Sequence, residues 1–172
     1  MDLFLVRHGE TDANAKGIVQ GWLDTNLNER GHTQAQAVAE QFNEKIDAIY
    51  SSDLKRATQT AEAFRRKYPT VPYFEDEHLR ERNFGDATGK HRDLHDWEVF
   101  WASVDSVSIP NAETLDEYSK RVQIFMDTLR ESGFSKVLIV AHGGTINRFE
   151  DLTNEGHSHI AHENASVTHL VI

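Results

Sequence analysis

Three short tracts place arginine, histidine and glycine directly after apolar runs. Leu3–Val6 hands over to Arg7-His8-Gly9, Asp47–Tyr50 to Ser51-Ser52-Asp53 with Arg56 beyond, and Val137–Ala141 to His142-Gly143-Gly144. These residue types suit phosphate. A neutral imidazole carries a lone pair that can attack phosphorus near neutral pH, which a guanidinium lacks and a lysine surrenders to its proton. Two arginines offer forked donors to the equatorial oxygens, over which the charge of phosphoryl transfer spreads. A Gly-Gly pair lets backbone approach a ligand closely ahead of a helix, and a helix start such as the one near Arg56 favours an anion through its free N–H groups and dipole. An alkoxide leaves poorly, so a carboxylic acid that protonates it and then activates water completes the set. Taken alone, each tract reads as an ordinary strand end or loop. Together they point to one crevice, because the carboxyl ends of strands in an open parallel sheet converge on a ligand site.

The elements that position these tracts follow from periodicity. Leu3–Val6 and Val137–Ala141 are short continuous apolar runs, which predict strands buried on both faces of a parallel sheet; Asp47–Tyr50 is a third. Helical stripes run over Thr33–Glu44 (Ala35, Val38, Ala39, Phe42), Leu54–Lys67 (Leu54, Ala57, Ala61, Phe64) and about Leu115–Glu131 (Val122, Phe125, Met126, Leu129). Asp53, Asn111 and Thr114 serve as start signals and Gly133 as a stop. Val167–Ile172 alternates and predicts a last strand. Residues 75–110 break the pattern, carrying Phe84, Trp97, Phe100 and Trp101 without a clean strand, and read as a short helical or loop cap inserted over the site. The expected fold is α/β, a three-layer sandwich with a mostly parallel central sheet and helices on both faces. With 172 residues and no Pro/Gly/Ser-rich linker, a single domain spanning 1–172 is expected.

Composition excludes other classes. Eighteen Lys and Arg against 28 Asp and Glu give a net charge of -10, which repels polyanions and argues against nucleic acid as a partner. Any anionic ligand therefore needs a local positive pocket. No cysteine is present, so disulfides and thiolate chemistry are ruled out and a reducing cytoplasm is the expected compartment. The apolar run Val137–Ala141 falls far short of the ~18 residues that cross a bilayer, so no membrane association is expected. Composition favours neither a monomer nor a homodimer.

The motifs resemble those of the histidine phosphatase superfamily in its phosphoglycerate mutase-like branch, over nearly the whole chain. Leu5-Val-Arg-His-Gly-Glu-Thr11 with Asn14 is similar to the nucleophile motif, and Gln20-Gly-Trp-Leu-Asp-Thr-Asn-Leu27 through Gly31 to the stretch that follows it. Ser51-Ser-Asp-Leu-Lys-Arg-Ala-Thr-Gln-Thr-Ala61 resembles the second arginine motif, and Leu79-Arg-Glu-Arg-Asn-Phe-Gly85 with Gly89 the acid-bearing segment. Val140-Ala-His-Gly-Gly144 resembles the second histidine motif and Asn164-Ala-Ser-Val167 the closing segment. The resemblance implies that His8 is the nucleophile, that Arg7, Arg56 and His142 bind the phosphoryl oxygens, and that Glu81 protonates the leaving oxygen. It also places Asn14, Gln20, Gly21 and Gly143 around the phosphate. Two segments depart from the pattern: Asp86-Ala87-Thr88 precedes Gly89, and Asn111-Ala112-Glu113 stands where relatives often carry Gly-Gly-Glu. Both shape substrate access.

The resemblance further implies a phosphatase acting on a small phosphorylated metabolite through phosphohistidine, without metal or other cofactor. Mutases of this kind are longer, with insertions that close over a bisphosphoglycerate and keep water out. A mutase and a non-catalytic phosphoprotein-binding scaffold stand as the alternatives. His91 with His95, and His157, His159 and His162, are the histidine groups that invite a metal. Neither set has the carboxylate placement of a catalytic metal motif, so no metal site is expected.

Overall fold

Strands buried on both faces require apolar residues at consecutive positions, and the central strands meet that demand. The computed structural model describes residues 1–94, 109–153 and 161–172. Strands β1 (Asp2–Arg7), β2 (Ala48–Ser51), β3 (Tyr73–Glu75), β4 (Lys136–Ala141) and β5 (Val167–Val171) form one sheet in the order β3-β2-β4-β1-β5. The first four are parallel, and β5 runs antiparallel along β1. Successive side chains go to opposite cores. Leu3, Leu5, Val137 and Ile139 enter one, with Val122, Phe125, Met126 and Phe149; Phe4, Val6, Leu138 and Val140 enter the other, with Ala39, Ala57, Ala61 and Phe64. Helices α2 (Glu29–Gln41) and α3 (Lys55–Lys67) therefore cover one face, and α4 (Leu115–Glu131) and α5 (Gly143–Thr153) the other. A one-turn helix, α1 (Asp12–Ala15), follows the loop that carries His8. The α/β fold with its mostly parallel sheet is as expected.

Several boundaries differ from the periodic reading, each for a local reason. Helix α2 starts at Glu29 rather than Thr33, because the Asn28 side chain caps it by accepting from the Gly31 amide. It ends at Gln41: Phe42 turns to extended geometry and packs its ring edge-on against Phe4 and Phe64. Asp53 does not cap α3; it accepts from Arg80 Nε at 2.8 Å, and Leu54 occupies the cap position without a side-chain bond. Thr114 caps α4 in a reciprocal box with Glu117. Asn111 starts no helix; it sits in the left-handed region (φ 59°) and donates to Asp86 Oδ1. Strand β3 was not expected, being three residues long with only Tyr73 half-buried.

The described part of the 75–110 insertion consists of β3's end and three 3-10 turns, Glu77–Leu79, Gly85–Ala87 and Arg92–Leu94. His95, Trp97, Phe100 and Trp101 lie outside the described residues, as do His157 and His159. Gly85 has φ 51°, and a Cβ there would come within 2.3 Å of the Ala112 amide and the Pro110 carbonyl. Only glycine lets these two loops meet.

Candidate phosphoryl-transfer site

The carboxyl ends of β1, β2 and β4 lie side by side, and the three tracts that follow them bound a cleft of about 390 Å³. Directly after β1, His8 is almost wholly buried, and its Nδ1 is 2.7 Å from the Gly9 carbonyl oxygen. That contact needs a hydrogen on Nδ1. Burial first, then Arg56 and Arg7, hold the ring well below the usual imidazole pKa, so it is neutral and Nε2 carries the lone pair. Burial, then Arg56, His8, Arg121 and Arg7, likewise hold His142 well below the usual imidazole pKa and keep it neutral. Its ring stands edge-to-face to His8 at 5.1 Å, and neither of its nitrogens has a hydrogen-bond partner among the described residues.

Arg7 and Arg56 supply the positive charge. Arg56 is fully buried, and burial pushes its pKa down to about 10, still high enough to keep it charged at neutral pH. Its Nη1 and Nη2 donate to the carbonyls of Leu23 (2.8 Å) and Gly21 (2.7 Å), while Nε has no partner among the described residues. Arg7 donates Nη1 to the His162 carbonyl and likewise leaves Nε unpaired. Buried donors left open beside a cleft are costly unless a ligand takes them, and this set matches the oxygens of a phosphoryl group. At the start of α3 the Lys55 amide donates to Asp24 at 2.8 Å.

Among the described residues, Glu81 is the one carboxylate lining this cleft. Its Oε1 accepts from the Arg82 amide (2.9 Å) and the Tyr118 hydroxyl (3.0 Å), and Oε2 from the Gly144 amide (3.1 Å). Arg121 fixes the segment that carries it. The guanidinium spans the carbonyls of His78, Arg80 and Glu81 and pairs with both oxygens of Glu113. Trp22 Nε1 adds a bond to the Glu81 carbonyl at 2.7 Å.

The loop after His8 is held by backbone contact. A Cβ on Gly9 would lie 2.5 Å from the Gly31 carbonyl, and one on Gly31 would lie 2.1 Å from the Glu10 carbonyl. The closing segment grips the same loop from the other side: Asn164 Nδ2 donates to the His8 carbonyl and the Ala165 amide to the Arg7 carbonyl, both at 3.0 Å.

The structure thus brings Arg7, His8, Asn14, Gln20, Gly21, Arg56, Glu81 and Gly143 to one cleft; His142 is not among the lining residues, but its ring stands against that of His8. Gly21 enters through its carbonyl on Arg56 and its left-handed backbone (φ 49°). Gln20 has its carbonyl oxygen tied to the hydroxyls of Thr11 and Thr25. His91 lies apart from the cleft lining, whereas His162 reaches it. Sequence reasoning missed Thr60, Tyr118, Arg121 and Thr145; Glu113 was noted only as part of a departure from the family pattern.

Comparison with known proteins gives the family that the motifs resemble. Residues 3–172 match the histidine phosphatase superfamily (branch 1). The chain is 38% identical over 145 residues to an uncharacterized phosphatase, PhoE, of Bacillus subtilis, with 83% of this chain and 72% of the relative covered. A mycobacterial glucosyl-3-phosphoglycerate phosphatase solved with VO3 is 31% identical and superposes with a TM-score of 0.85 over 99% of this chain and 92% of its own. A phosphoglycerate mutase of Bacillus anthracis str. Sterne, 26% identical, gives 0.85 over 98% and 86%.

Proposed function

Since this chain belongs to the histidine phosphatase superfamily, whose members and relatives support phosphatase activity, we propose that it is a metal-independent phosphomonoesterase acting through phosphohistidine on a small phosphorylated metabolite. The supporting observation is the His8 tautomer: Nδ1–H rests on its neighbour's carbonyl, and Nε2 is left to attack beside the open Nε–H donors of Arg7 and Arg56. In the first half-reaction a Nε2–P bond forms as the ester P–O bond breaks, and Glu81 passes its proton to the departing alkoxide. Arg7, Arg56 and His142 bind the three equatorial oxygens. In the second, water attacks phosphorus, Glu81 takes the water proton, and His8 is released with inorganic phosphate.

The test is a phosphatase screen over a metabolite panel with His8→Ala as blank. Wild type should release phosphate and His8→Ala none. An intermediate trapped during turnover should lose its label in acid and keep it in alkali, as a phosphoramidate does. A label stable in acid would instead identify a phosphoester. Likeness to the Bacillus anthracis mutase favours a second reading, in which the phosphoryl group returns to a substrate oxygen. Phosphate transfer between phosphoglycerates without release to water would select it. Vanadate binding with no turnover of any monoester would select the scaffold.

A further inference from the structure

A general acid is useful only if its proton sits on the oxygen that faces the substrate. Glu81 has one oxygen on each side of this divide. Gly144, which bonds Oε2, lines the cleft; neither Arg82 nor Tyr118, which bond Oε1, does so. Two donors on Oε1 engage both of its lone pairs. The Gly144 amide engages one on Oε2 and leaves the other for a proton.

The Arg82 amide is backbone and always a donor, whereas the Tyr118 hydroxyl can turn. It reaches two acceptors, Glu81 Oε1 at 3.0 Å and Thr145 Oγ1 at 2.8 Å, and of these the carboxylate is the stronger. Thr145, which itself donates to the Arg80 carbonyl at 3.1 Å, fixes the far side of the tyrosine oxygen. The Tyr118 hydrogen is then directed to Glu81. Tyr118 is 1% exposed, and burial together with Glu81 raises its pKa well above the ordinary tyrosine value, so the hydroxyl keeps its hydrogen. The Arg121 guanidinium lies 4.5 Å from the ring centroid and holds it in place.

We propose that Tyr118, backed by Thr145, is a positioning residue that directs the Glu81 proton to Oε2, the cleft-side oxygen; this rests on the reading of Glu81 as the acid. Without that hydroxyl, Oε1 has a vacant lone pair facing away from the substrate, and a proton bound there does no work.

The test compares leaving groups in Tyr118→Phe. An alkyl monoester needs the proton, whereas p-nitrophenyl phosphate releases a stable phenolate without it. Tyr118→Phe should lower kcat for the alkyl ester about tenfold or more. Its KM, its vanadate affinity and the single-turnover burst from p-nitrophenyl phosphate should stay within about twofold of wild type. Thr145→Val should show the same selectivity to a smaller degree, and keeps the test alive should Tyr118→Phe not fold. Glu81→Gln separates the two levels of inference. If Glu81→Gln is selective for alkyl esters and neither Tyr118→Phe nor Thr145→Val is, the positioning role falls while the acid stands. Equal loss on both esters in the hydroxyl variants would show a structural role only and overturn the proposal. If Glu81→Gln itself shows no selectivity, the acid assignment falls and the proposal with it.

Discussion

The amide of Gly9 and the hydroxyl of Thr60 lie 3.0 Å apart, and Thr60 passes its own hydrogen to the Arg56 carbonyl at 2.7 Å. One buried side chain thereby fixes the spacing between the nucleophile loop and the helix that carries the second arginine. Thr60→Val fills the same volume but leaves the Gly9 amide without a partner, which costs about 1–3 kcal/mol. Urea unfolding should show that loss, with a fall in turnover, and Thr60→Ser should recover most of both. An unchanged midpoint in Thr60→Val would mean the bond contributes nothing.

Acid should destabilise the protein through two buried imidazoles, His8 and His142. His8 and His142 titrate well below 6.5 in the folded chain, mainly because burial penalises the charged form. In the unfolded chain they take up protons near 6.5, so unfolding binds protons as the pH falls. Stability is greatest above that value and declines below it, by up to about 1.4 kcal/mol per pH unit for each ring, until the folded-state values are reached. Urea midpoints measured from pH 7.5 to 5.5 should show the slope, and His142→Gln should flatten it. For the same reason the rate should not fall from loss of neutral His8 until well below pH 6.5.

Backbone geometry makes two opposite forecasts. Gly85→Ala sets a methyl group against backbone from two directions and should abolish soluble expression or lower Tm by many degrees. Ala165 already occupies the left-handed region, with φ 58°. Ala165→Gly should raise stability by about 0.5–1 kcal/mol, read from a higher denaturation midpoint. A midpoint that drops would show that the native backbone at Ala165 carries no strain.

Chelators should leave turnover unchanged. The guanidinium groups of Arg7 and Arg56 supply the positive charge that a divalent ion would otherwise bring to the phosphoryl oxygens. Activity lost in EDTA and restored by a divalent cation would overturn the metal-independent reading.

Periodicity located the central strands and α4 because their signals are local. Leu3–Val6 and Val137–Ala141 announce burial by continuous apolar character, and Thr114 and Gly133 bracket α4 with a capping box and a stop. The start of α2 was misread because its first turn, Glu29-Arg30-Gly31-His32, is polar apart from a glycine, and the cap that sets it is Asn28. Strand β3 is too short to show alternation. At the candidate site, Arg7, His8, Arg56 and Gly143 come at or just after strand ends and so carry a readable context. Those that hold them do not. Thr60 is 51 residues from Gly9, Tyr118 is 37 from Glu81 and Arg121 is 40 from it, and nothing in the chain around each one marks the pairing.

Strand β1 lies between β4 and β5, which follow it in the chain. Its neighbours are more than 130 residues away. Sheet closure therefore waits until β4 has been made, and the apolar Leu3–Val6 must be sheltered until then. A chain cut before β4 would carry His8 and Arg56 without the strand that sets His142 and Gly143 beside them, so the cleft assembles only once β4 is in place.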